Sequence, residues 1–222
     1  MEKPGGKLQD FQHFTFGENI PIFVNCMEVD QNSNWSPSDL LNAVEVLRQG
    51  GVILYPTDTI WGLGCDATNR EAVEKVYRIK ERPSGKSMLI LVSDIVMAEE
   101  YTKDTPDLIW NVMEEALEPL TLIFPHARNL ADNLPAADGS IGIRMPKDNF
   151  CLELIRLFGK PIVSSSANPS NQAPPELYID IPRELIELVD YVVQWRQDDF
   201  RPGSPSTVVK LGADGEMEMI RP

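Results

Sequence analysis

Residues that commonly build covalent and metal sites are scarce in this sequence of 222 residues. It has three cysteines, Cys26, Cys65 and Cys151, which are widely spaced and never form a CxxC pair. This spacing indicates neither a disulfide framework nor a zinc site. The two histidines, His13 and His126, have no serine, cysteine or carboxylate motif beside them, which argues against a pair of nucleophile and base.

Long apolar runs are also missing. No run approaches the length needed to cross a membrane, and residues 1–7 lack the apolar core of a signal peptide. We therefore expect a cytoplasmic protein with no membrane partner.

Basic residues are outnumbered by acidic ones. The chain has 20 Lys and Arg against 34 Asp and Glu, which gives a formal net charge of −14. This balance argues against a protein whose main activity is to bind phosphate backbones, since that affinity comes largely from Lys and Arg. Any basic site must therefore be local.

The length and the apolar content favour one globular domain, or at most two small ones. Apolar residues make up 42% of the sequence, which is enough to bury a core. Residues 1–35 mix Gly, Gln, Asn and aromatics, with one strand-like piece at 22–24, and we interpret them as an N-terminal extension. We assign residues 36–222 to the folded domain. No internal repeat is evident.

Helical and strand patterns alternate along the domain, which predicts an α/β fold. Helices are predicted to begin at the cap Ser36, at a capping box over residues 68–71, at residues 105–107, at the cap Asn149 and at Pro182. Strands are predicted at residues 52–55, 88–92, 120–124, 141–145, 161–163 and 191–193, and in a pair at 206–211 and 217–220. The fully apolar run 88–92 is typical of a central strand.

Three of these helices have a predicted apolar face, which in the second helix consists of Ala72, Val73, Val76 and Tyr77. The first has Leu40, Leu41, Val44 and Leu47 at helical spacing, and the third has Leu108, Ile109, Val112 and Met113. Each face is expected to pack against the sheet.

Polar side chains follow the strand at 52–55, where Pro56 weakens sheet pairing. In an extended chain Thr57 and Thr59 would face one side and Asp58 the other, so that two hydroxyls line one pocket wall. The carboxyl ends of strands are where open α/β sheets bind ligands. The alternative is an ordinary polar loop.

Two cations, Lys80 and Arg82, are also two residues apart, and Pro83 favours an extended Arg82. Both are therefore predicted to point the same way, as suits a polyanion. The alternative is a solvated end of a helix, where the charges complement the helix dipole.

A second polar strand end is predicted at residues 164–169. Ser164, Ser166 and Asn168 fall on one side if this stretch is extended, and Pro169 favours that conformation for Asn168. The alternative is a turn rich in serine and asparagine.

Five motifs in order resemble those of the YrdC-like threonylcarbamoyl-AMP synthases. They are Pro56–Leu63 (PTDTIWGL), Lys80–Pro83 (KERP), Gly142–Pro146 (GIRMP), Ser166–Asn168 (SAN) and Ser206–Val209 (STVV). Each motif alone is weak, but five with matching order and spacing are specific. The similarity runs from about residue 36 to residue 222 and is to the short, single-domain form of the family.

The resemblance implies an α/β fold, a twisted open mixed sheet flanked by helices with a concave active face. It implies an enzyme, a nucleotidyltransferase that joins L-threonine, bicarbonate and ATP into threonylcarbamoyl-AMP and releases pyrophosphate. The product would feed a downstream tRNA threonylcarbamoyl-transferase machinery that makes N(6)-threonylcarbamoyladenosine. Transfer of this kind needs positioned anions more than covalent help from the protein.

The resemblance also assigns residues to the substrates. Its pattern places Thr59, Arg144, Ser164 and Thr207 near threonine. It places Lys80, Arg82, Lys86, Ser140, Ser166, Asn168 and Arg221 around ATP, with Lys80 and Arg82 in catalytic roles. Mg²⁺ is expected to arrive with the nucleotide, held by phosphates and water, and no metal site of the protein's own is expected.

Two alternative functions follow from related domains. One is a YrdC-like protein that binds double-stranded RNA without forming an adenylate, although the acidic balance favours at most weak RNA contact. The other is a carbamoyl-transfer module like those of hydrogenase maturation, which carry zinc-finger-like cysteine motifs that this sequence lacks.

Overall fold

A computed structural model describes residues 34–83, 86–212 and 216–222. The predicted extension over residues 1–35, with its strand-like piece at 22–24, therefore lies almost entirely outside the described residues. The helices are α1 (Pro37–Arg48), α2 (Arg70–Ile79), α3 (Ile95–Glu99), α4 (Asp107–Glu115), α5 (Asn149–Phe158) and α6 (Arg183–Ile186), with a 3-10 turn at Tyr178–Asp180. The strands are β1 (Ile53–Tyr55), β2 (Gly62–Gly64), β3 (Leu89–Leu91), β4 (Leu120–Phe124), β5 (Ile141–Arg144), β6 (Ile162–Ser166), β7 (Tyr191–Val192), β8 (Thr207–Leu211) and β9 (Met217–Arg221).

The strands form one mixed sheet in the order β7-β1-β2-β6-β3-β5-β4-β8-β9. Parallel pairs are β1 with β7, β3 with β5 and β4 with β8, and the other neighbours are antiparallel. The predicted mixed α/β sheet is confirmed. So are the central position of β3 and the pairing of β8 with β9.

Helices cover both faces of this sheet, because apolar side chains alternate along its buried strands. On one face Ile53 and Tyr55 pack with the buried sides of α1 and α5. On the other face Leu54 and Leu63 pack with α2 and α4. No helix in the described ranges is long and apolar enough to cross a membrane.

Strand β2 and helix α3 were not predicted. The sequence of β2 is Gly-Leu-Gly, and glycine is depleted in strands, so residue preferences gave no signal. The structure explains Gly64: a Cβ there would lie 2.7 Å from Cε1 of Tyr55 and 3.0 Å from Cγ2 of Ile162. The β1–β2 hairpin therefore depends on a residue without a side chain.

Two predicted helix caps are wrong by one residue. Helix α2 begins after Asn69, whose side chain accepts the N–H of Ala72 at 3.1 Å, whereas Thr68 donates to Asp66. Helix α5 begins after Asp148, which accepts the N–H of Cys151 at 3.0 Å, so Asn149 is the first helical residue. In both cases an Asn or Asp residue accepts the free N–H, as is usual at this position.

The predicted apolar faces of α1 and α4 are partly wrong. Leu41 is 51% exposed and Leu108 is 67% exposed. The buried face of α4 includes Trp110, which stacks on Phe124 with ring centroids 5.3 Å apart. The predicted faces included these two residues because the spacing of apolar residues in the sequence does not determine how wide the buried face of a helix is.

A long connection crosses the sheet between β7 and β8. Strand β7 is first and β8 is eighth in the sheet order, so residues 193–206, here called the crossing segment, pass six intervening strands. At the usual strand spacing this is a span on the order of 30 Å. The segment is long enough to cover this distance with a turn at residues 195–198, and Pro205 and Ser206 at its end line the site described next.

Candidate functional site

A cavity of about 500 Å³ gathers residues from most of the predicted motifs. The predicted site residues that line it are Thr59, Arg82, Ser140, Arg144, Ser164, Ser166, Asn168 and Arg221. Lys80, Lys86 and Thr207 are not among its lining residues. The charged residues of the described lining are three arginines, and none of the lining residues is a carboxylate.

The turn after β1 supplies the first wall through a network of hydroxyls. Thr57 Oγ1 donates to the carbonyl of Ile60 at 2.7 Å and lies 2.8 Å from Thr59 Oγ1. Arg144 Nη1 donates to Thr59 Oγ1 at 2.8 Å. The two threonine hydroxyls therefore meet, and Thr59 binds the guanidinium of Arg144. The prediction that both hydroxyls line one wall is partly wrong, because Thr59 lines the cavity and Thr57 does not.

Asp58 does not face away from this wall as predicted. Residues 58–60 bend instead of remaining extended, and Asp58 Oδ1 lies 3.0 Å from Arg144 Nη1. The bend follows from the contact of Thr57 with the carbonyl of Ile60, which closes the chain on itself.

The end of β6 supplies the opposite wall. Ser164, Ser165, Ser166 and Asn168 all line the cavity. Ser166 is opposite Gly62 in the β2–β6 ladder, so the two motif-bearing strands lie side by side. The prediction of a second polar strand end is confirmed, although Ser165 joins the residues expected on one side.

Lys80 and Arg82 do not point the same way. Lys80 is 1% exposed, and its Nζ donates to the carbonyl of Asn168 at 2.7 Å and to that of Ser166. Arg82 lines the cavity, and its Nε and Nη2 donate to the carbonyls of residues 86 and 87. The divergence arises at Glu81, whose φ of +49° turns the chain and breaks the extended alternation.

The pKa of the Lys80 amine is unusually low for a lysine. Burial, and then the neighbouring charge of Arg82, lower the pKa of the Lys80 amine to about 7. Burial also lowers the pKa of the Arg82 guanidinium from its ordinary value. Arg82 is thus a cation in the cavity lining with no carboxylate in that lining to balance it, as expected of a site for an anion.

The crossing segment closes the cavity on its third side. Arg196 pairs with Asp148 at 2.7 Å, and buried Asp39 accepts the N–H groups of Gln194 and Trp195. Farther along, a Cβ on Gly203 would lie 1.9 Å from the carbonyl oxygen of Thr59. The segment is therefore fixed at its start and touches the threonine wall directly.

The carboxyl-terminal strand adds Arg221 to the cavity. Its Nε and Nη2 donate to the carbonyl of Ser206 at 3.1 and 2.8 Å. Thr207 is directed elsewhere, since its neighbours Ser206 and Val208 line the cavity and its own N–H donates to Pro119. This is the alternation expected along a strand.

Sequence reasoning missed the hydroxyl pair of Thr121 and Ser206. Thr121 is 2% exposed, lines the cavity and lies 2.8 Å from Ser206 through their side-chain oxygens. It is also opposite Arg144 in the β4–β5 ladder. A single hydroxyl within the apolar run Leu-Thr-Leu-Ile-Phe was the available signal.

Among the described residues, no group of three His, Cys, Asp or Glu side chains could hold a metal ion. The polar groups of the cavity instead offer N–H and O–H donors to an anionic ligand.

The model of the family Sua5, YciO and YrdC, described as telomere recombination, matches residues 45–222. The chain belongs to this family. The threonylcarbamoyl-AMP synthase of Hahella chejuensis is 33% identical to it over 153 residues, which are 67% of this chain and 82% of that protein.

Two solved structures show the same fold. The structure of P. abyssi Sua5 complexed with L-threonine matches with a TM-score of 0.65 and 25% identity, over 78% of this chain and 50% of that one. The structure of E. coli YciO matches with a TM-score of 0.72 and 25% identity, over 84% of this chain and 91% of that one. The chain thus spans half the length of the P. abyssi Sua5 chain and nearly the whole length of E. coli YciO.

Proposed function

We propose that this protein is an L-threonylcarbamoyladenylate synthase, a nucleotidyltransferase that uses L-threonine, bicarbonate and ATP. The amine of threonine would form an N–C bond with bicarbonate with loss of water, which gives a carbamate, and a carbamate oxygen would attack the α-phosphorus of ATP. The bond from that phosphorus to the bridging oxygen of the β-phosphate would break, and pyrophosphate would leave. The name of the H. chejuensis relative supports this reaction.

One observation carries the proposal from this chain itself. The protein has a formal net charge of −14, yet the charged residues of the described cavity lining are Arg82, Arg144 and Arg221. A cavity of about 500 Å³ is within the range of small-molecule sites. Positive charge concentrated there favours a ligand that carries phosphates and a carboxylate.

The threonine side of the site is assigned to the wall after β1. Arg144 would donate hydrogen bonds to the substrate carboxylate, and Thr59 and Ser164 would form hydrogen bonds with the other polar atoms of threonine. Ser206 lines the cavity and is better placed for such a bond than Thr207.

The ATP side is assigned to the other two arginines and to the end of β6. Arg82 and Arg221 would neutralise phosphate charge as it shifts in the transition state, and Ser140, Ser166 and Asn168 would donate hydrogen bonds. Lys80 would hold the loop that carries Ser166 and Asn168, since it bonds to the carbonyls of both. Lys86 would approach ATP from beyond the residues that line the cavity.

Mg²⁺ would enter as part of the nucleotide substrate. The described lining offers hydroxyls and amides but no carboxylate, so phosphates and water would hold the ion. We further propose that residues 36–222 carry the activity in the cytoplasm, with residues 1–35 as an extension. A downstream tRNA threonylcarbamoyl-transferase machinery would consume the product.

Pyrophosphate release tests the proposal directly. Purified protein with MgATP and bicarbonate is expected to release pyrophosphate with L-threonine and much less with serine, valine or no amino acid. Omission of bicarbonate is expected to stop the reaction. Release that does not depend on threonine would contradict the proposal, and salt-dependent binding of double-stranded RNA without turnover would favour the RNA-binding alternative.

A further inference from the structure

Asp58 is a buried carboxylate beside the cavity but not part of its lining. Its side chain is 7% exposed, and its Oδ1 lies 3.0 Å from Nη1 of Arg144, which is 3% exposed. Asp58 is absent from the residues that line the cavity. A ligand in the cavity would therefore meet Arg144 and not the acid behind it.

The carboxylate of Asp58 is held from two directions. Oδ2 accepts the backbone N–H of Lys147 at 2.9 Å, while Oδ1 is paired with Arg144. Asp58 thus ties the turn after β1 to the chain just beyond β5. Lys147 contributes a backbone N–H and Arg144 a side-chain nitrogen, so one orientation of the carboxylate serves both contacts.

The contacts of Arg144 are concentrated on one end of its guanidinium. Nη1 donates a hydrogen bond to Thr59 Oγ1 at 2.8 Å, and it forms an ion pair with Asp58 Oδ1 at 3.0 Å without the geometry of a hydrogen bond. Nε is buried and has no hydrogen-bond partner among the described residues. A buried donor without a partner is costly, so it indicates a place for a ligand atom.

A carboxylate binds a guanidinium best through two parallel N–H bonds. With Nη1 occupied, the edge formed by Nε and Nη2 is the one left for such a pair. The orientation of that edge depends on what holds Nη1 in place. Thr59 supplies a neutral hydrogen-bond acceptor for Nη1, and Asp58 supplies a negative charge beside it.

We propose that Asp58 is a positioning residue that turns the Nε edge of Arg144 toward the carboxylate of the amino-acid substrate. The inference rests on the proposed function. It makes recognition of the substrate carboxylate depend on a residue that does not touch the substrate.

The test compares Asp58→Asn with Asp66→Asn. The amide of Asp58→Asn can still accept the N–H of Lys147 but lacks the charge that pairs with Arg144. We expect the KM for threonine to rise about 10- to 100-fold, the range for loss of a hydrogen bond to a charged group. The KM for ATP is expected to stay within about twofold, since Asp58 contacts none of the residues assigned to ATP.

Asp66 is the matched control. It is also nearly buried, pairs with Lys160 at 2.8 Å and accepts a backbone N–H, from Thr68, but it does not line or border the threonine wall. Asp66→Asn is expected to leave the KM for threonine within about twofold, even if both variants lower the melting temperature.

A double variant separates positioning from a general structural effect. If Asp58 acts through Arg144, adding Asp58→Asn to Arg144→Gln should change the threonine KM less than about twofold. A threonine KM that is unchanged or lower in folded Asp58→Asn would overturn the inference, as would full additivity in the double variant. Failure of the wild-type protein to use threonine at all would instead overturn the proposed function.

Discussion

Replacing Gly203 with alanine should damage the threonine side of the site. The added Cβ would lie 1.9 Å from the carbonyl oxygen of Thr59 and 3.0 Å from its carbonyl carbon. Because such contacts are not seen below about 3.0 Å, the crossing segment or Thr59 must move by at least about 1 Å. Gly203 is not among the glycines with positive φ, so this close approach is the reason that glycine is required there.

A displacement of about 1 Å in a substrate-positioning group costs about 10²-fold in rate. We therefore expect kcat/KM for threonine to fall about 10²-fold in Gly203→Ala, with a smaller change in the KM for ATP. The assay is pyrophosphate release over a series of threonine concentrations, with thermal unfolding to verify that the variant is folded.

Arg201→Ala is the control from the same segment. Arg201 is exposed and pairs only with Asp199 among its described contacts, so its removal is expected to leave kcat/KM within about twofold. A folded Gly203→Ala protein with kcat/KM for threonine within threefold of the wild type would refute the reasoning.

Three further predictions concern charge and packing. Arg82→Ala should lower turnover about 10²- to 10³-fold, because a preorganised charge-stabilising donor is lost. Arg78 is exposed, and Arg78→Ala is the control that should leave turnover unchanged. Near-normal pyrophosphate release by Arg82→Ala would contradict the assignment of Arg82 to ATP. The pKa of Lys80 is about 7, so its amine is mostly neutral at pH 7.5. Nearby phosphate charge should raise this pKa, so that the protein takes up roughly half a proton when ATP binds. Calorimetry in two buffers of different ionisation enthalpy measures that proton uptake, which Lys80→Met should abolish. Binding of ATP to the wild-type protein without proton uptake would contradict this prediction. Leu154→Ala should lower the free energy of unfolding by about 2–5 kcal/mol, measured by urea titration, because Leu154 is fully buried between α5 and the sheet. A loss below about 1 kcal/mol would show that the site repacks.

The sequence was sufficient for most of the sheet because its strands are apolar and its turns carry glycine or proline. Strand β4 covers the predicted residues, and β5 ends one residue early, before Met145. Strand β2 was missed because two of its three residues are glycines, of which Gly64 is required by its close packing against Tyr55. Such a choice depends on a neighbour distant in the sequence, which local preferences do not contain.

For the site, the sequence predicted which residues meet but not always which way they point. Thr59, Arg144 and Ser166 were predicted and do share one cavity. Lys80 was expected beside Arg82, but the left-handed conformation of Glu81 sends its amine to the carbonyls of the loop after β6. The rule of alternation fails wherever a single residue leaves the extended conformation.

The contact of Asp58 with Arg144 could not be predicted from the sequence for the same reason. Alternation placed it away from Thr59, whereas the bend at residues 58–60 brings it to Arg144. Thr121 was overlooked because residues 120–124 were predicted to form a strand without a face being assigned to each side chain. Polar residues inside apolar strands therefore merit attention when a ligand site is sought.

The crossing segment also determines when the pocket can exist during synthesis. Thr59 is translated well before Gly203 and Arg221, which complete its surroundings. Contacts so distant in sequence form late in folding, because the intervening chain must first be ordered. A nascent chain that has not yet released residues 193–222 should be unable to retain threonine, and a single proteolytic cut within residues 197–202 should release substrate while most of the sheet stays intact.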